Sequence, residues 1–446
     1  MENHLGGEDA VSVSTLRVRS SLVSFFCVAS PKIAAGALQL VVNWLLIRQL
    51  GPANSGVLFS CVTAVVLGDA VIGAALDMGV IGLATGKGGA RRSLAVQKSA
   101  LAAKFAGGIL IGLPVLLLAR PLAAVLFHGD ASPVLLPMSV AALIGLLLLR
   151  SVQTCFQVSE RFVLYGLTDV LHSSIKFGGI AILLALRTAT PGRVLGCFVA
   201  GPGLVAPALL LTAARGVLRE PFSLEALKDL GRVTKWMLGV GASGSINSRM
   251  DILLVSAQAG TVEAGLFSAA QVLTLPFQLL AMYMSVVFAP KILPLWRKGR
   301  LAKIYKRFQG ALIALALSLY GIAWLAGGRL VAPLLPAAYK ASMGILLLLL
   351  PSALAAMVNF PWTVSFLMFT HPKWLLLLEA SSFPILLVLY RLLIPAHGAA
   401  GAALVTSGFA VSKAILYQIL ASRTMEAGPG KDDFLAAKEE GLVHAS

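Results

Sequence analysis

The chain reads NWLLIRQLGPANSGVLFS from Asn43 to Ser60, and a version of this stretch returns as ILLVSAQAGTVEAGLFS from Ile252 to Ser268. In each copy an apolar run ends at a glycine, four residues follow, and a second glycine opens the next apolar run. Aligning Gly51 with Gly260 sets the two halves of the 446-residue chain at an offset of 209. A sequence repeat at an offset slightly less than half the chain length indicates duplication of a multi-helix unit, which is the usual architecture of membrane transporters.

The composition places the chain in a membrane. Hydrophobic residues make up 58% and charged residues 12%, with a mean hydropathy of +0.88, and these values exclude an ordinary soluble protein. Apolar runs long enough to cross a ~30 Å hydrocarbon layer as helices of roughly 20 residues lie at 22–47, 57–84, 94–119, 133–157, 162–186, 191–214, 236–258, 265–290, 308–328, 341–369, 374–394 and 398–421. The sequence therefore predicts an all-α polytopic membrane protein with twelve transmembrane helices.

The runs divide into two lobes of six helices related by the internal repeat. The predicted boundaries are a segment at 1–21, an N-lobe at 22–214, a linker at 215–235, a C-lobe at 236–421 and a tail at 422–446. Lys and Arg concentrate in alternate connections, a bias that places both termini in the cytoplasm. Much of the net charge of +17 is therefore topological, and we do not expect nucleic-acid binding. The N-terminus lacks the features of a signal peptide.

Two inside connections are amphipathic. FSLEALKDLGRVTKW in the linker places Leu224, Leu227 and Leu230 together. RLAKIYKRF after the eighth run places four apolar residues opposite its basic ones: Leu301, Ile304, Tyr305 and Phe308. Such segments are typical of helices that lie on an anionic membrane surface. Positive-inside charge without specific lipid contact is the alternative.

Catalytic and metal-binding patterns are absent from the sequence. The four cysteines stand in separate runs without CxxC spacing, and the six histidines are scattered, so neither a zinc site nor a disulfide framework is indicated. A membrane polymerase or ligase of glycan assembly would present a long outer loop with catalytic Arg or His, whereas the outer connections here are short. We therefore expect no enzyme activity, no cofactor and no metal.

The informative feature is charge inside the apolar runs, where each ionisable residue costs ~2.5–3.5 kcal/mol and usually faces a cavity or a partner. Helical spacing puts polar groups on shared faces. The predicted lining of a central, largely basic cavity is Lys32, Gln39, Asn43, Arg150, Gln157, Lys176, Asn247, Arg249, Gln271, Gln278 and Lys413. The acids Asp69, Asp77, Asp169, Asp251 and Glu379 are candidates for ion coupling or for charge pairs that only fix helix packing. For Lys104 and Arg161, cations near helix ends, snorkelling to the interface and a role inside the protein are both open.

The seventh run leaves two geometries open. Arg249 and Asp251 are two residues apart, so a regular helix points them to opposite sides, with Asn247 on the side of Asp251. Local unwinding at the preceding GVGASGS would change this facing.

Several segments resemble the polysaccharide exporters and O-antigen type oligosaccharide flippases of the multidrug/oligosaccharidyl-lipid/polysaccharide exporter superfamily. LLIRQLGPANSGVLF is similar to the segment joining the first two helices of that family, and LDMG at 76–79 is similar to the end of its second helix. The entry to the fifth helix of that family resembles QVSERFVLY at 157–165. Its seventh-to-eighth connection is similar to MDILLVSAQAGTVEAGLFSAAQVL, although Phe267 stands where Tyr is common. The start of its helix twelve is similar to LIPAHGAAGAALVTS at 393–407.

The resemblance implies a carrier in the bacterial inner membrane that moves an undecaprenyl-diphosphate-linked oligosaccharide by alternating access. The glycan would be a repeat unit of O-antigen, exopolysaccharide or capsule, with proton or sodium coupling through the intramembrane acids. A polysaccharide polymerase and a chain-length regulator are implied partners besides membrane lipids. Alternatives are a cation-coupled multidrug exporter and a flippase for lipid-linked peptidoglycan or teichoic-acid precursors.

Overall fold

A computed structural model describes residues 8–84, 89–297, 301–330, 335–369 and 372–426. Within these ranges the chain is helical and contains no strand. The helices are α1 Glu8–Ala84, α2 Gly89–Leu117, α3 Ala119–Phe127, α4 Leu135–Val158, α5 Phe162–Ala185, α6 Pro191–Leu211, α7 Arg215–Arg219, α8 Leu224–Ala259, α9 Thr261–Arg297, α10 Leu301–Leu330, α11 Ser342–Phe369 and α12 Pro372–Glu426. A single 3₁₀ turn, Ala337–Tyr339, precedes α11.

Two of the helices are bent at glycines. α1 breaks at Gly51, with φ 73° and ψ 167°, and α12 breaks at Gly398, with φ 58° and ψ −138°. These positive φ values suit glycine because it lacks a Cβ. The first and second predicted runs are therefore the two segments of α1, and the eleventh and twelfth are those of α12.

The lengths of the described helices fit a multi-pass membrane protein. Nine of them are long and apolar enough to cross a membrane, and the two bent ones, Gly36–Ala84 and Lys373–Arg423, contain 49 and 51 such residues. Each bent stretch exceeds twice the roughly 20 residues that one crossing needs. The confirmed part of the predicted fold is the helical membrane class, and the count of twelve crossings stays a prediction.

The repeat is visible in the backbone. Gly260, which ends α8, has φ 91° and ψ 172°, nearly the conformation of Gly51. Gly51, Gly260 and Gly398 lie at one end of the helices, which we name the glycine end. The opposite end, where α7 connects α6 to α8, is named the linker end.

At the glycine end α1 and α9 cross backbone to backbone. A Cβ built on Gly56 would overlap the carbonyl oxygen of Thr261, and a Cβ on Gly265 would overlap the carbonyl oxygen of Pro52. Gly56 and Gly265, like Pro52 and Thr261, are related by the 209-residue offset. The contact is therefore reciprocal, and the two halves of the chain meet on their repeat axis.

Side chains reinforce this crossing. The fully buried Tyr339 donates its hydroxyl hydrogen to Ser55 Oγ at 2.8 Å, and Thr261 Oγ1 donates to Asp130 Oδ2 at 2.7 Å. Ser256 Oγ donates to the carbonyl oxygen of Leu126 at 2.6 Å. Each bond joins the α1–α6 half to the α8–α12 half, so the two are held together at the glycine end.

The amphipathic part of the linker packs on α1 through Leu230, whereas Leu224 remains 57% exposed. Ser223 caps α8 by accepting from the Ala226 amide at 3.2 Å, and the helix then continues without a break to Ala259. Leu230 and Thr234 are buried and face Gly79 of α1, where a Cβ would meet both side chains. Packing on α1 thus removes Leu230 from both water and lipid, which headgroup contact would not achieve.

The second predicted surface helix also packs inward. Leu301 and Tyr305 in the first turns of α10 are buried and join a cluster with Ile292 and Trp362. Ile304 of the same stripe remains exposed, so the stripe is buried only in part.

Candidate functional site

A cavity of about 540 Å³ lies between the two halves of the chain. Its wall includes three pairs of residues related by the repeat offset: Asn43 and Ile252, Phe59 and Ser268, and Thr63 and Val272. The cavity therefore touches both halves one turn beyond the crossing of Gly56 and Gly265, and most of its wall belongs to the α8–α12 half. Of the predicted site residues, the wall contains Asn43, Asn247, Arg249, Asp251, Gln271, Gln278 and Lys413.

The α8 part of the wall is a regular helix. GVGASGS lies inside α8, so the alternative of a locally unwound opening is wrong for this structure. Arg249 is exposed to the cavity and forms no ion pair with a described residue. Asp251 is 2% exposed and accepts hydrogen bonds from Gln271 Nε2 at 3.1 Å and from the Ile252 amide at 2.8 Å. The two charges therefore face one cavity without pairing.

Lys413 reaches the same wall from α12 and is paired. Its ammonium contacts Oε1 of the buried Glu379 in α12. The hydroxyl of Tyr417 donates to the same oxygen at 2.7 Å, and Asn247 Nδ2 donates to Glu379 Oε2 at 3.1 Å. The ion pair thus ties α8 to both segments of α12 and leaves little net charge on this side of the cavity.

The predicted cation Arg150 is also paired. Its Nε lies 3.6 Å from Asp69 Oδ2, and its Nη1 donates to Gln153 Oε1 at 3.4 Å. Gln153 in turn donates to Asp169 Oδ1 at 2.6 Å. This network joins α1, α4 and α5, while the other oxygen of Asp69, Oδ1, is buried without a hydrogen-bond partner among the described residues.

Lys176 forms a different connection. Its Nζ donates to Gln39 Oε1 at 3.1 Å, and Gln39 Nε2 donates to Asn43 Oδ1 at 2.6 Å. The ammonium also lies 4.2 Å from the ring centre of Phe177 and 5.0 Å from that of Phe198, where cation–π attraction stabilises it. Lys176 therefore reaches the cavity through two amides, without an acidic partner among the described residues.

Lys104 and Asp77 make a buried pair that the sequence did not assign. Lys104 Nζ lies 2.5 Å from Asp77 Oδ1, and Thr154 Oγ1 donates to the same oxygen. Lys104 is 1% exposed, so it does not snorkel to the interface. Asp77 accordingly behaves as a charge-pair residue that holds α1 against α2 and α4.

Other predicted residues lie elsewhere. Gln157 is exposed in the last turn of α4, outside the cavity lining, and the side chain of Lys32 lies outside those that the structure describes. Tyr390 was missed by sequence reasoning; its hydroxyl lies 3.0 Å from Thr406 Oγ1, and it lines the cavity. The sequence feature that could have indicated Tyr390 is that it is a lone tyrosine in an apolar run. Within the described ranges, no three His, Cys, Asp or Glu side chains come together as a metal site would require.

Solved transporters share this fold. The structure titled lipid II flippase MurJ, inward closed conformation, matches with a TM-score of 0.71 and 14% identity over 93% of this chain and 90% of that chain. An inward-facing multidrug resistance MATE family transporter of the MOP superfamily matches at 0.59 and 16% over 91% and 98%. A MOP superfamily transporter from Pyrococcus furiosus matches at 0.56 and 14% over 91% and 96%. No protein-family model and no curated protein sequence matches the chain.

The chain is therefore a multi-pass membrane protein with the fold of the MOP superfamily transporters. At 14–16% identity the likeness shows the fold.

Proposed function

We propose that the protein is a flippase that moves a polyprenyl-diphosphate-linked oligosaccharide across the bacterial inner membrane by alternating access. In this proposal the helices form twelve crossings in two lobes, at 22–214 and 236–421, with both termini in the cytoplasm. The observation that carries it is the cavity where the two halves meet, whose wall holds the cation Arg249 without an ion pair among the described residues.

The chemistry of the cavity suits a diphosphate with sugars attached. A guanidinium replaces the water around phosphate oxygens through two parallel, charge-assisted hydrogen bonds. Amide side chains from α1, α8 and α9 can exchange hydrogen bonds with sugar hydroxyls: Asn43, Asn247, Gln271 and Gln278. A volume of about 540 Å³ lies within the ~300–1,000 Å³ range of small-molecule sites, which is room for the diphosphate and the first sugars while the polyprenyl tail stays in lipid.

Alternating access assigns roles to the two ends. With the glycine end closed by the crossing at Gly56 and Gly265, a headgroup would enter from the linker end and leave after α1 and α9 separate. The charge pairs Asp69–Arg150, Asp77–Lys104 and Glu379–Lys413 would keep each lobe rigid during this motion. Asp169 and Asp251, which are hydrogen-bonded but unpaired among the described residues, are the acids we propose for proton or sodium coupling. A polymerase and a chain-length regulator would act on the product.

A second candidate is a flippase for a lipid-linked cell-wall precursor. The observation that favours it is the TM-score of 0.71 with MurJ, against 0.59 with the MATE transporter. Both candidates require recognition of a lipid diphosphate and differ in the glycan.

Translocation assays in proteoliposomes test the proposal. A polyprenyl-diphosphate oligosaccharide with a fluorescent sugar is supplied in one leaflet, and its appearance in the other is followed with and without proton and sodium gradients. We expect flipping by the intact protein, partial retention in Arg249→Lys, and a loss of about tenfold or more in Arg249→Ala, since charged hydrogen bonds contribute ~1.5–3 kcal/mol.

Arg329→Ala provides the matched control, because Arg329 is exposed near the end of α10 and should tolerate the same truncation. Flipping restricted to lipid-linked peptidoglycan precursor would select the second candidate. Failure to flip any lipid diphosphate by folded protein would refute both.

A further inference from the structure

A second cavity, of about 430 Å³, lies at the linker end of the α1–α6 half, apart from the central cavity. α2, α4 and the connection from α6 to α7 form its wall. We name it the linker cavity and define it by Leu94, Gln97, Phe156, Arg161, Arg215 and Val217. Its volume falls within the ~300–1,000 Å³ range of small-ligand sites.

Two arginines give this cavity its charge. Arg161 precedes α5 and Arg215 begins α7; both are exposed, and neither forms an ion pair with a described residue. As far as the described residues define it, the lining contains neither Asp nor Glu. Two guanidinium groups on one concave wall, without a counter-charge, are poised to bind an anion.

Other polar groups of the wall offer few competing donors. Ser159 Oγ donates to the Cys155 carbonyl oxygen at 2.8 Å, and Thr212 Oγ1 donates to that of Ala208 at 2.7 Å. Gln97 Nε2 donates to Ser93 Oγ at 3.1 Å, which leaves one of its two hydrogens. Recognition therefore depends on the two guanidinium groups.

The position of the cavity along the membrane spans indicates which kind of molecule carries the anionic group. Two of the candidate membrane spans end at Val158 and Leu211, and Arg161 and Arg215 follow them within a turn, where lipid phosphates lie. Behind the arginines the wall is apolar, with Phe156 and Val217 buried. Basic pockets between membrane helices at this depth commonly bind lipid headgroups.

We propose that the linker cavity binds the phosphate group of an anionic membrane lipid. The headgroup phosphate bridges Arg161 and Arg215, and the glycerol and first methylenes contact the apolar wall. Because α7 leads into α8, which carries Arg249, a bound lipid holds the connection between the two halves against α2 and α4. This site is independent of the substrate of the central cavity.

The test measures lipid binding to the full chain in detergent by intact-complex mass spectrometry. Phosphatidylglycerol, phosphatidylcholine with the same acyl chains, and inorganic phosphate are the three probes. For the double variant Arg161→Gln/Arg215→Gln we expect the Kd for phosphatidylglycerol to rise tenfold or more, which corresponds to about 1.4 kcal/mol. We expect weaker binding of phosphatidylcholine and no displacement by millimolar phosphate.

The matched control is the double variant Arg219→Gln/Arg423→Gln. It removes two exposed arginines from the same end of the protein that lie outside the cavity wall, and its Kd should stay within about twofold of the intact protein. An equal loss in both double variants would overturn the proposal in favour of general surface charge. Equal binding of phosphatidylcholine would refute selectivity for an anionic headgroup. Displacement by inorganic phosphate would refute a lipid as the ligand.

A third variant keeps the test decisive if the arginine changes impair folding. A Cβ on Gly216 meets only Leu94 Cδ2, at 3.8 Å, so Gly216→Phe can fill the cavity while both charges remain. Loss of phosphatidylglycerol in folded Gly216→Phe supports a site inside the cavity, and full retention refutes it.

Discussion

Replacing Lys413 with Met isolates a carboxylate at the centre of the α8–α12 half. Glu379 is 5% exposed and keeps its hydrogen bonds from Tyr417 and Asn247, yet its only cation among the described residues is gone. Removing one partner of a buried pair costs ~3–5 kcal/mol. Since the Lys413 side chain is 28% exposed, water compensates in part, and we expect about 3 kcal/mol of destabilisation.

A double-mutant cycle separates charge from packing. Glu379→Gln keeps the shape and an acceptor for Tyr417, so Glu379→Gln/Lys413→Met restores neutrality with little change in volume. We expect the double variant to recover at least half of the loss, which gives a coupling energy of about 1.5 kcal/mol or more. The assay is reversible unfolding in mixed micelles, followed by near-ultraviolet circular dichroism at two salt concentrations.

Additive effects in this cycle would refute the argument, because they would mean that Lys413 stabilises the protein through its alkyl chain alone. Lys228→Met is the control: Lys228 is an exposed lysine near the start of α8, and its loss should cost less than about 0.5 kcal/mol.

Two further predictions concern the glycine end. Gly56→Ala places a Cβ against the Thr261 carbonyl oxygen, so we expect overpacking to destabilise the protein by about 1–3 kcal/mol and to lower its Tm in detergent. The control is Gly203→Ala, whose Cβ would have nothing within 4 Å and which should leave Tm unchanged or raised. Equal Tm values for the two variants would contradict the crossing. Burial raises the pKa of Tyr339 to about 12, so the stability that its neutral hydroxyl contributes is complete below a pH of about 10 and is lost as the pH rises toward 12. Tyr339→Phe should therefore lower Tm at neutral pH and reduce the fall of Tm between these two values, as measured by thermal scans; an unchanged alkaline fall would contradict this origin.

Part of the central site was readable from helical spacing. Asn247, Gln271 and Gln278 lie on polar stripes of single helices, and the structure places all three on one cavity. Spacing within a helix fixes which side chains share a face, so this step needs no tertiary information. Gln157 shows the limit of the method, since it follows the stripe of Arg150 and Thr154 but emerges at the exposed end of α4.

Charge pairing was not readable in this way. The partners of Asp69, Asp77 and Glu379 are Arg150, Lys104 and Lys413, and in each case the two residues lie at least 27 positions apart. The sequence could offer acids and bases as possible pairs, but the choice depends on which helices touch and at what depth. The same contacts decide that Arg249, with Asp251 two residues away, has no acidic partner among the described residues.

The amino-acid sequence by itself determined the class of protein and the positions of the repeated connections. Hydrophobic runs of membrane length require helices, because unpaired backbone groups cannot be satisfied in lipid. The repeated glycines at 51 and 260, and at 56 and 265, mark where the chain turns and where two backbones can touch. Only the tertiary structure decided which intramembrane charges neutralise one another and which remain available to a ligand, because an ion pair depends on distances between helices that no local pattern encodes.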